Sequence, residues 1–375
     1  MGYSLPLARA HAACNPPEPT HPKHMTHANS QKLCALLGIQ LPIIQAPMAG
    51  VQDSAMAVAV SQAGGLGSLP CAMLSPAALR DELTVIQRQT DKPVNVNFFC
   101  HPTLERNPQR EANWAAALAP YYQELGISPP KLSTGPVRAP FNIDMADVLQ
   151  DFRPAVVSFH FGLPTPDLLA HVKSWGAIVL STATTVEEAL WLQANGADAI
   201  IAQGLEAGGH RGMFLNADLS TQMGTLALVP QLAQSVNLPV IAAGGIANAQ
   251  GVAAALALGA AAVQIGTAYL LCPEALTSAT HRAALSSPSA RHTALTNLFS
   301  GRPARGIVNR LMRELGPISH LAPDFPWATA ALAPLRQQAE SLGLDYFSPL
   351  WCGQNASACK RVSSADLTRE LSQAL

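Results

Sequence analysis

The chain has 375 residues, 49% of them apolar and only 13% charged, with a formal net charge of −1. A composition this apolar excludes a disordered chain, and the balanced charge, with no long Lys/Arg run, excludes a nucleic-acid or anionic-membrane binder. The length admits one barrel of about 250 residues with additions, or two domains.

Residues 1–26 are crowded with proline and histidine and lack a sustained apolar run. They read as a disordered extension and not as a signal peptide, with Met25 an alternative start. The seven cysteines (Cys14, Cys34, Cys71, Cys100, Cys272, Cys352 and Cys359) form no CxxC pair. That pattern suits reduced thiols in a cytoplasmic protein and offers no metal site. No stretch reaches the roughly 18 uninterrupted apolar residues of a membrane span.

Eight short apolar or β-branched runs then follow in order: PIIQAPM (42–48), GLGSLP (65–70), PVNVNFF (93–99), AVVSFHFG (155–162), AIVLSTA (177–183), AIIAQG (199–204), PVIAAGG (239–245) and AVQIGTA (262–268). Most are too continuously apolar for a strand with one wet face, so they read as strands of a parallel sheet covered on both sides. Helical spacing fills the intervals. In TVEEALWLQANGA (185–197) Gly196 stops the helix, and in NAQGVAAALALGA (248–260) Asn248 is the N-cap and Gly259 the terminator. Eight strand–helix alternations are the number that closes a TIM (β/α)8 barrel, whereas an open doubly wound sheet more often uses five or six.

Two long intervals interrupt the repeat, residues 100–141 and everything after about residue 269, and connections of that length are usually lids or inserted subdomains. GRPARGIVNRLMREL (301–315) and WATAALAPLRQQAESLG (327–343) both read as helical. The expected organisation is the extension 1–26, a barrel over 27–268, a mainly helical lid over 269–346, and a segment 347–375 returning to the barrel.

Barrel chemistry lies at the C-terminal ends of the strands. There the sequence places Pro47 and Met48, Asn97, His160, the run Gln203 to His210, Gly244 and Gly245, and Gln264 to Thr267. Paired glycines let backbone N–H groups approach an anion that any Cβ would obstruct, and Thr267 adds a hydroxyl. Gly244 and Gly245 alone are equally consistent with a tight turn; the Gly266–Thr267 pair one βα unit later turns the balance to a phosphate site. Neither a P-loop nor G-x-G-x-x-G after the first strand is present. A phosphate held without lysine suits a monophosphate cofactor such as FMN.

Taken together, IIQAPMAGV, VNFF, SFHFG, AQGLEAGGHRG, PVIAAGGIA and VQIGTAYL resemble the class I branch of the nitronate monooxygenase family, from about Gln31 to the C-terminus. EAGGH and AAGGI also occur in flavin-dependent enoyl-[acyl-carrier-protein] reductases, while QAPMAG, GRPARGIVNRLMREL and WCGQ favour the nitronate branch. The resemblance implies an FMN-containing barrel that oxidises alkyl nitronates, propionate 3-nitronate above all, with dioxygen, as a monomer or homodimer. It implies that Asn97, Gln203, Gly208, Gly244, Gly245, Gln264, Ile265, Gly266 and Thr267 bind FMN, that Pro47 and Met48 lie beside its ring system, and that His210 is catalytic.

An imidazole with an unperturbed pKa near 6.5 can take a proton from a carbon acid or, once protonated, attract an anionic nitronate. His160 is either a hydrogen-bonded core histidine or a substrate contact, and Tyr269 is either a substrate contact or packing beneath the lid. Asn95 shares the orientation of Asn97 in the strand. Glu206 is expected to pair with Arg211 and hold the loop, while Arg302, Arg305, Arg310 and Arg313 either meet a substrate carboxylate or, on the favoured reading, form a solvated helix face. The rival activities are a nicotinamide-dependent reductase of quinones or enoyl thioesters and a catalytically silent flavin- or phosphate-binding module.

Overall fold

The computed structural model describes residues 22–130 and 139–375. Its strands, in chain order, are β1 (Ile43–Gln45), β2 (Gly67–Pro70), β3 (Val94–Phe99), β4 (Val156–His160), β5 (Ile178–Ala183), β6 (Ala199–Gln203), β7 (Gly209–His210), β8 (Val240–Ala243), β9 (Ala262–Ile265), β10 (Thr293–Thr296) and β11 (Ala304–Ile307). All eight apolar runs of the sequence are strands, and they form one parallel sheet in the order β1-β9-β8-β6-β5-β4-β3-β2. Its two edges meet at a parallel bridge between Ile44 and Leu66, where Leu66 N donates to Ile43 O and Gln45 N to Leu66 O, both at 2.9 Å. The sheet thus closes into a TIM barrel.

The continuous hydrophobicity of the strands has a two-sided cause. Outward-facing Ile200, Ala202, Val240 and Val263 pack under Leu192, Leu228, Leu232 and Val252 of the surrounding helices, and Val157, Phe159 and Val179 pack under Leu79, Leu149 and Val172. Inward-facing Ile44, Val156, Leu180, Ile201 and Ile241 meet Leu33, Leu37 and Ile39. The helix Pro22–Leu37 therefore stops the N-terminal mouth, and each buried leucine there is stabilising by about 2 kcal/mol. This helix spans the last residues of the expected extension; the remainder, 1–21, lies outside the described residues. The expected punctuation is present: Asn248 caps Ala249–Ala257 by accepting from Gly251 N, and Gly196 and Gly259, at φ of +100° and +103°, follow the ends of Val186–Ala194 and Ala249–Ala257. Thr185 also caps Val186–Ala194 by accepting from Glu188 N.

The two long intervals pack on each other. The helix Pro108–Glu124, from the interval after β3, buries Trp114, Leu118 and Tyr122 against Leu332, Leu335 and Ala339 of the helix Ala328–Ser341. Two buried donors fix the register: Trp114 Nε1 to Ala328 O at 3.2 Å and Tyr122 OH to Ala331 O at 2.6 Å. The proline-rich stretch 131–138 lies outside the described residues. The last helix, Ser364–Leu371, returns to the barrel and buries Leu367 and Leu371 in its outer layer.

One element differs from expectation. Only Arg310–Leu315 of the segment 301–315 is helical, because Ala304–Ile307 forms β11, antiparallel to β10 on one side and β7 on the other. A Cβ on Gly306 would stand 2.9 Å from Leu350 O, so this residue suits a strand approached by another backbone more than a helix with side chains all round. Arg302 and Arg305 consequently leave the solvated face: the Arg302 guanidinium lies 3.9 Å from the Phe161 ring centroid, and Arg305 is buried. Arg310 bridges Glu124 and Glu314, and Arg313 is exposed.

Candidate active site

At the C-terminal mouth of the barrel lies a cleft of about 1360 Å3, counting its open mouth. Pro47, Met48, Asn97, Gln203, Gly208, Gly244, Gly245 and the run Gln264–Thr267 line it, together with His160 and His210. Among the described residues that line it there is no Lys, Arg, Asp or Glu. Polarity here comes from amides, hydroxyls, imidazoles and backbone.

The floor is set by the barrel's own pleat. Asn97 Nδ2 donates to Ser158 Oγ at 2.9 Å across β3 and β4. Asn95, on the same face two residues earlier, donates to Ser68 Oγ at 2.9 Å and does not line the cleft. Met48 is held from its backbone: its N–H donates to Gln52 Oε1 at 3.0 Å, and the same oxygen accepts from Gln45 Nε2 at 2.7 Å. Gln52 is buried, so the Pro47–Met48 turn rests on a satisfied polar pair.

The loop after β6 is tied down almost atom by atom. Gln203 Nε2 donates to His210 O at 2.9 Å and its Oε1 accepts from Gly212 N at 2.8 Å. The amide thus binds the loop, although Gln203 also lines the cleft. Glu206 and Arg211 do not pair as expected. Glu206 Oε2 accepts from Thr225 N and Thr225 Oγ1, each at 2.8 Å, whereas Arg211 donates to Gly204 O at 2.6 Å, Gln203 O at 2.7 Å and Gln222 Oε1 at 3.0 Å. Burial brings the Arg211 pKa down to about 10, which leaves the guanidinium charged at neutral pH. Each charge separately holds the loop.

His210 is placed by β7, whose register pairs His210 with Ala304 of β11. Its ring stands 5.5 Å from Trp351, 5.6 Å from Phe325, and 6.1 Å from both Phe99 and Phe161, and its Nε2 is 2.8 Å from Ser300 Oγ. Phe161 has a φ of +70°, a conformation rare for an aromatic residue and most often retained where surrounding structure enforces it. His160 commits Nδ1 to Thr182 Oγ1 at 3.1 Å and Nε2 to His210 O at 3.2 Å. Desolvation drives its pKa down to about 3, so it stands neutral in the cleft wall and braces the His210 backbone.

Tyr269 is the one site residue that the structure takes away from the cleft. The turn Thr267–Leu271 sends it into the outer layer, fully buried, with its hydroxyl 2.8 Å from Thr368 Oγ1 of the last helix. Replacing Tyr269 with phenylalanine should lower stability by about 1 kcal/mol in urea unfolding and leave KM unchanged; a raised KM would return the residue to the site.

The other end of the cleft is a glycine cradle. Gly244 and Gly245, at φ of +115° and +72°, follow β8 and lead into the N-terminus of the helix Ala249–Ala257, the end of a helix that favours anions. Segment 351–355 closes over this end. Gly353 N donates to Thr267 Oγ1 at 2.9 Å, Gln354 N to Glu206 O at 2.9 Å and Asn355 Nδ2 to Gly245 O at 3.1 Å. As an acceptor toward Gly353, the Thr267 hydroxyl keeps its proton for an anion. Gln264 Oε1 is buried without a partner among the described residues, which calls for an N–H or O–H donor from a ligand. A glycine and hydroxyl cradle at one end and an orphaned acceptor in the cleft fit FMN, with its phosphate, ribityl hydroxyls and ring N–H.

Several residues of the site were not singled out by the strand pattern. Trp351, Gly353 and Asn355 reach the cleft from far along the chain, and Ser300 reaches His210; only WCGQ, which holds Trp351 and Gly353, carried a signal, as part of the family resemblance. Gln52 sits in a short loop, and Thr182 could have been found by extending to β5 the rule applied to the other strand ends.

The nitronate monooxygenase family model matches residues 30–374. A nitronate monooxygenase of Pseudomonas aeruginosa is 44% identical over 348 residues, 92% of this chain and 99% of that protein. One of Paraburkholderia phytofirmans is 42% identical, covering 92% of this chain and 94% of that protein. Among solved structures, nitroalkane oxidase from Streptomyces ansochromogenes aligns with a TM-score of 0.82 at 37% identity, covering 90% of this chain and 96% of that one. FabK from Thermotoga maritima aligns with a TM-score of 0.65 at 25% identity, covering 91% of this chain and 94% of that one.

Proposed function

The chain belongs to the nitronate monooxygenase family, and from that premise we propose that it oxidises alkyl nitronates, propionate 3-nitronate among them, with dioxygen and bound FMN. It is an oxidoreductase by family. The finer reading is carried by one observation: a single cleft is lined both by His210 and by the Gly244–Gly245–Thr267 cradle, with Pro47 and Met48, which follow β1, beside the end of its partner strand β9. No described helix is long and apolar enough to cross a membrane.

Bound FMN would supply the electron-accepting and dioxygen-activating chemistry, leading to an aldehyde or oxo acid plus nitrite or nitrate. Gly244, Gly245 and the Thr267 hydroxyl would hold its phosphate, and Gln264 Oε1 would accept from its ring. The chain's own residues then do three things. Gln52 and Gln203 hold the two backbones that flank the cleft. The Phe99, Phe161, Phe325 and Trp351 rings surround the half-buried His210 imidazole and limit its contact with water. With a neutral nitroalkane, that imidazole takes the α-proton as the C–H electron pair becomes the C=N bond of the nitronate; a preformed nitronate needs no such step and is attracted to the protonated ring.

The test is the visible spectrum of the purified protein followed by oxygen consumption. A flavin absorption and oxygen uptake with propionate 3-nitronate, in the absence of NADH, are the expected results. A protein that takes up no FMN, or one that oxidises NADH with an added quinone and ignores nitronate, would overturn the proposal, the second in favour of a reductase.

A further inference from the structure

We propose that Ser300 is the positioning residue of the His210 imidazole, its Oγ accepting a hydrogen bond from Nε2–H and so supporting the ring in its protonated form. The inference rests on His210 acting as the base of the proposed reaction. Ser300 follows β10 and is buried, and its Oγ lies 2.8 Å from His210 Nε2. A serine hydroxyl has one proton to give and two lone pairs. Arg302 O, 3.3 Å away, receives that proton, and Arg302 N, 3.4 Å away, donates to the oxygen. With its proton directed to Arg302 O, Oγ faces His210 as an acceptor, and the partner of one ring nitrogen sets the tautomer of the whole ring.

The turn that delivers Ser300 is specific. Gly301 has a φ of +89°, and a Cβ there would stand 2.2 Å from Pro323 O, so no other residue permits this path. The next residues continue around the same loop: Arg302 Nη2 donates to Met213 O, Arg211 N donates to Pro303 O at 2.8 Å, and Arg305 Nε donates to Leu205 O at 2.9 Å. One strap, Ser300–Arg305, thus clasps the loop of His210 from both sides.

The charges around the ring explain why an acceptor matters. Arg302 lies over Phe161, itself 6.1 Å from the His210 ring, and Arg211 and Arg305 are buried behind the loop. His160 supports the His210 carbonyl, and His101 meets Phe161 and Phe325 edge-on. The nearby carboxylates are engaged elsewhere, Glu188 by Thr184 and Phe214 and Glu206 by Thr225. A lone pair aimed at Nε2–H favours the protonated ring, and among the described residues Arg302, Arg211 and Arg305 are cations packed around this loop.

The experiment measures kcat/KM against pH for nitroethane in the FMN-loaded wild type, Ser300→Ala and Ser300→Thr, with His210→Asn as control. Loss of the acceptor disfavours the imidazolium, so in Ser300→Ala the base limb should move about one pH unit toward acid and turnover should fall about tenfold, while Ser300→Thr restores both. Oxidation of preformed ethyl nitronate, which needs no proton transfer, should fall less. A shift toward alkaline pH would mean that the hydroxyl donates to Nε2, and a lower rate with an unmoved profile would mean a merely structural serine; either result overturns the proposal. Should His210→Asn keep full nitroethane turnover, the base assignment itself is lost, independently of the Ser300 variants.

Discussion

Replacing His210 with asparagine is expected to lower kcat for a neutral nitroalkane by a factor of about 10²–10⁴, the range supplied by a positioned general base, with FMN still bound. The separation of the two effects follows from where the histidine is fixed. Its backbone pairs with Ala304 and its carbonyl receives Gln203 Nε2 and His160 Nε2, none of which depends on the imidazole. The loop therefore keeps its path in the variant. The glycine cradle is held by other contacts, Gly353 to Thr267 and Asn355 to Gly245. Asparagine is also too weak a base to accept a carbon-bound proton near neutral pH. With a preformed nitronate the loss should be smaller, on the order of tenfold, because only attraction to a protonated ring is removed. Oxygen consumption on both substrates and the flavin absorbance of the variant measure this, and undiminished turnover of nitroethane would exclude His210 from proton transfer.

The barrel was legible because its signals are local. Each strand is a run of about four to eight mostly apolar residues, a length and continuity imposed by burial on both faces, and each is closed by glycine, proline or a polar group where the chain leaves the sheet. The polar ends of those runs then mark the mouth: Asn97, His160, Gln203 and Gln264 all line the cleft. What the sequence left hidden is non-local. Ser300 meets His210 across 90 residues and Gly353 meets Thr267 across 86, and no periodicity encodes such a meeting. The helical reading of residues 301–315 failed for a related reason. The spacing of its arginines mimics a helix face, but the backbone of Ala304–Ile307 is captured by β10 and β7, a tertiary demand that overrides local propensity. Tyr269 could be read as a substrate contact because it closely follows a strand end at the mouth, but the turn Thr267–Leu271 carries it outward to packing.

The same long-range closure makes Gly208 a sensitive backbone position of the cofactor end. A Cβ on Gly208 would stand 2.5 Å from Gly353 N and 2.7 Å from the Cys352 carbonyl carbon. Both are backbone atoms, and neither can yield freely: Gly353 N is bonded to Thr267 Oγ1, Cys352 N to Arg305 O and Gln354 N to Glu206 O. A single added methyl group must therefore either break the Gly353–Thr267 bond or push the loop of Gly208 into the cleft. Either outcome acts on the cradle proposed for the FMN phosphate. Overpacking of this kind costs about 1–3 kcal/mol, so Gly208→Ala should weaken FMN roughly tenfold to a hundredfold, read by fluorescence titration of the apoprotein. The barrel itself should remain folded, because its strand ladders and the apolar layers on both faces of the sheet do not depend on the Gly208 contact, and far-UV circular dichroism should be unchanged. Gly209→Ala separates sterics from backbone strain. There the added Cβ meets nothing within 4 Å, but φ is +72°, so the cost is left-handed strain alone, about 1–2 kcal/mol, and it falls on β7 and His210 more than on the cradle. Gly208→Ala should thus impair FMN binding more than catalysis per bound flavin, and Gly209→Ala the reverse. Equal FMN affinity in Gly208→Ala and wild type would mean that segment 351–355 does not close the cofactor site.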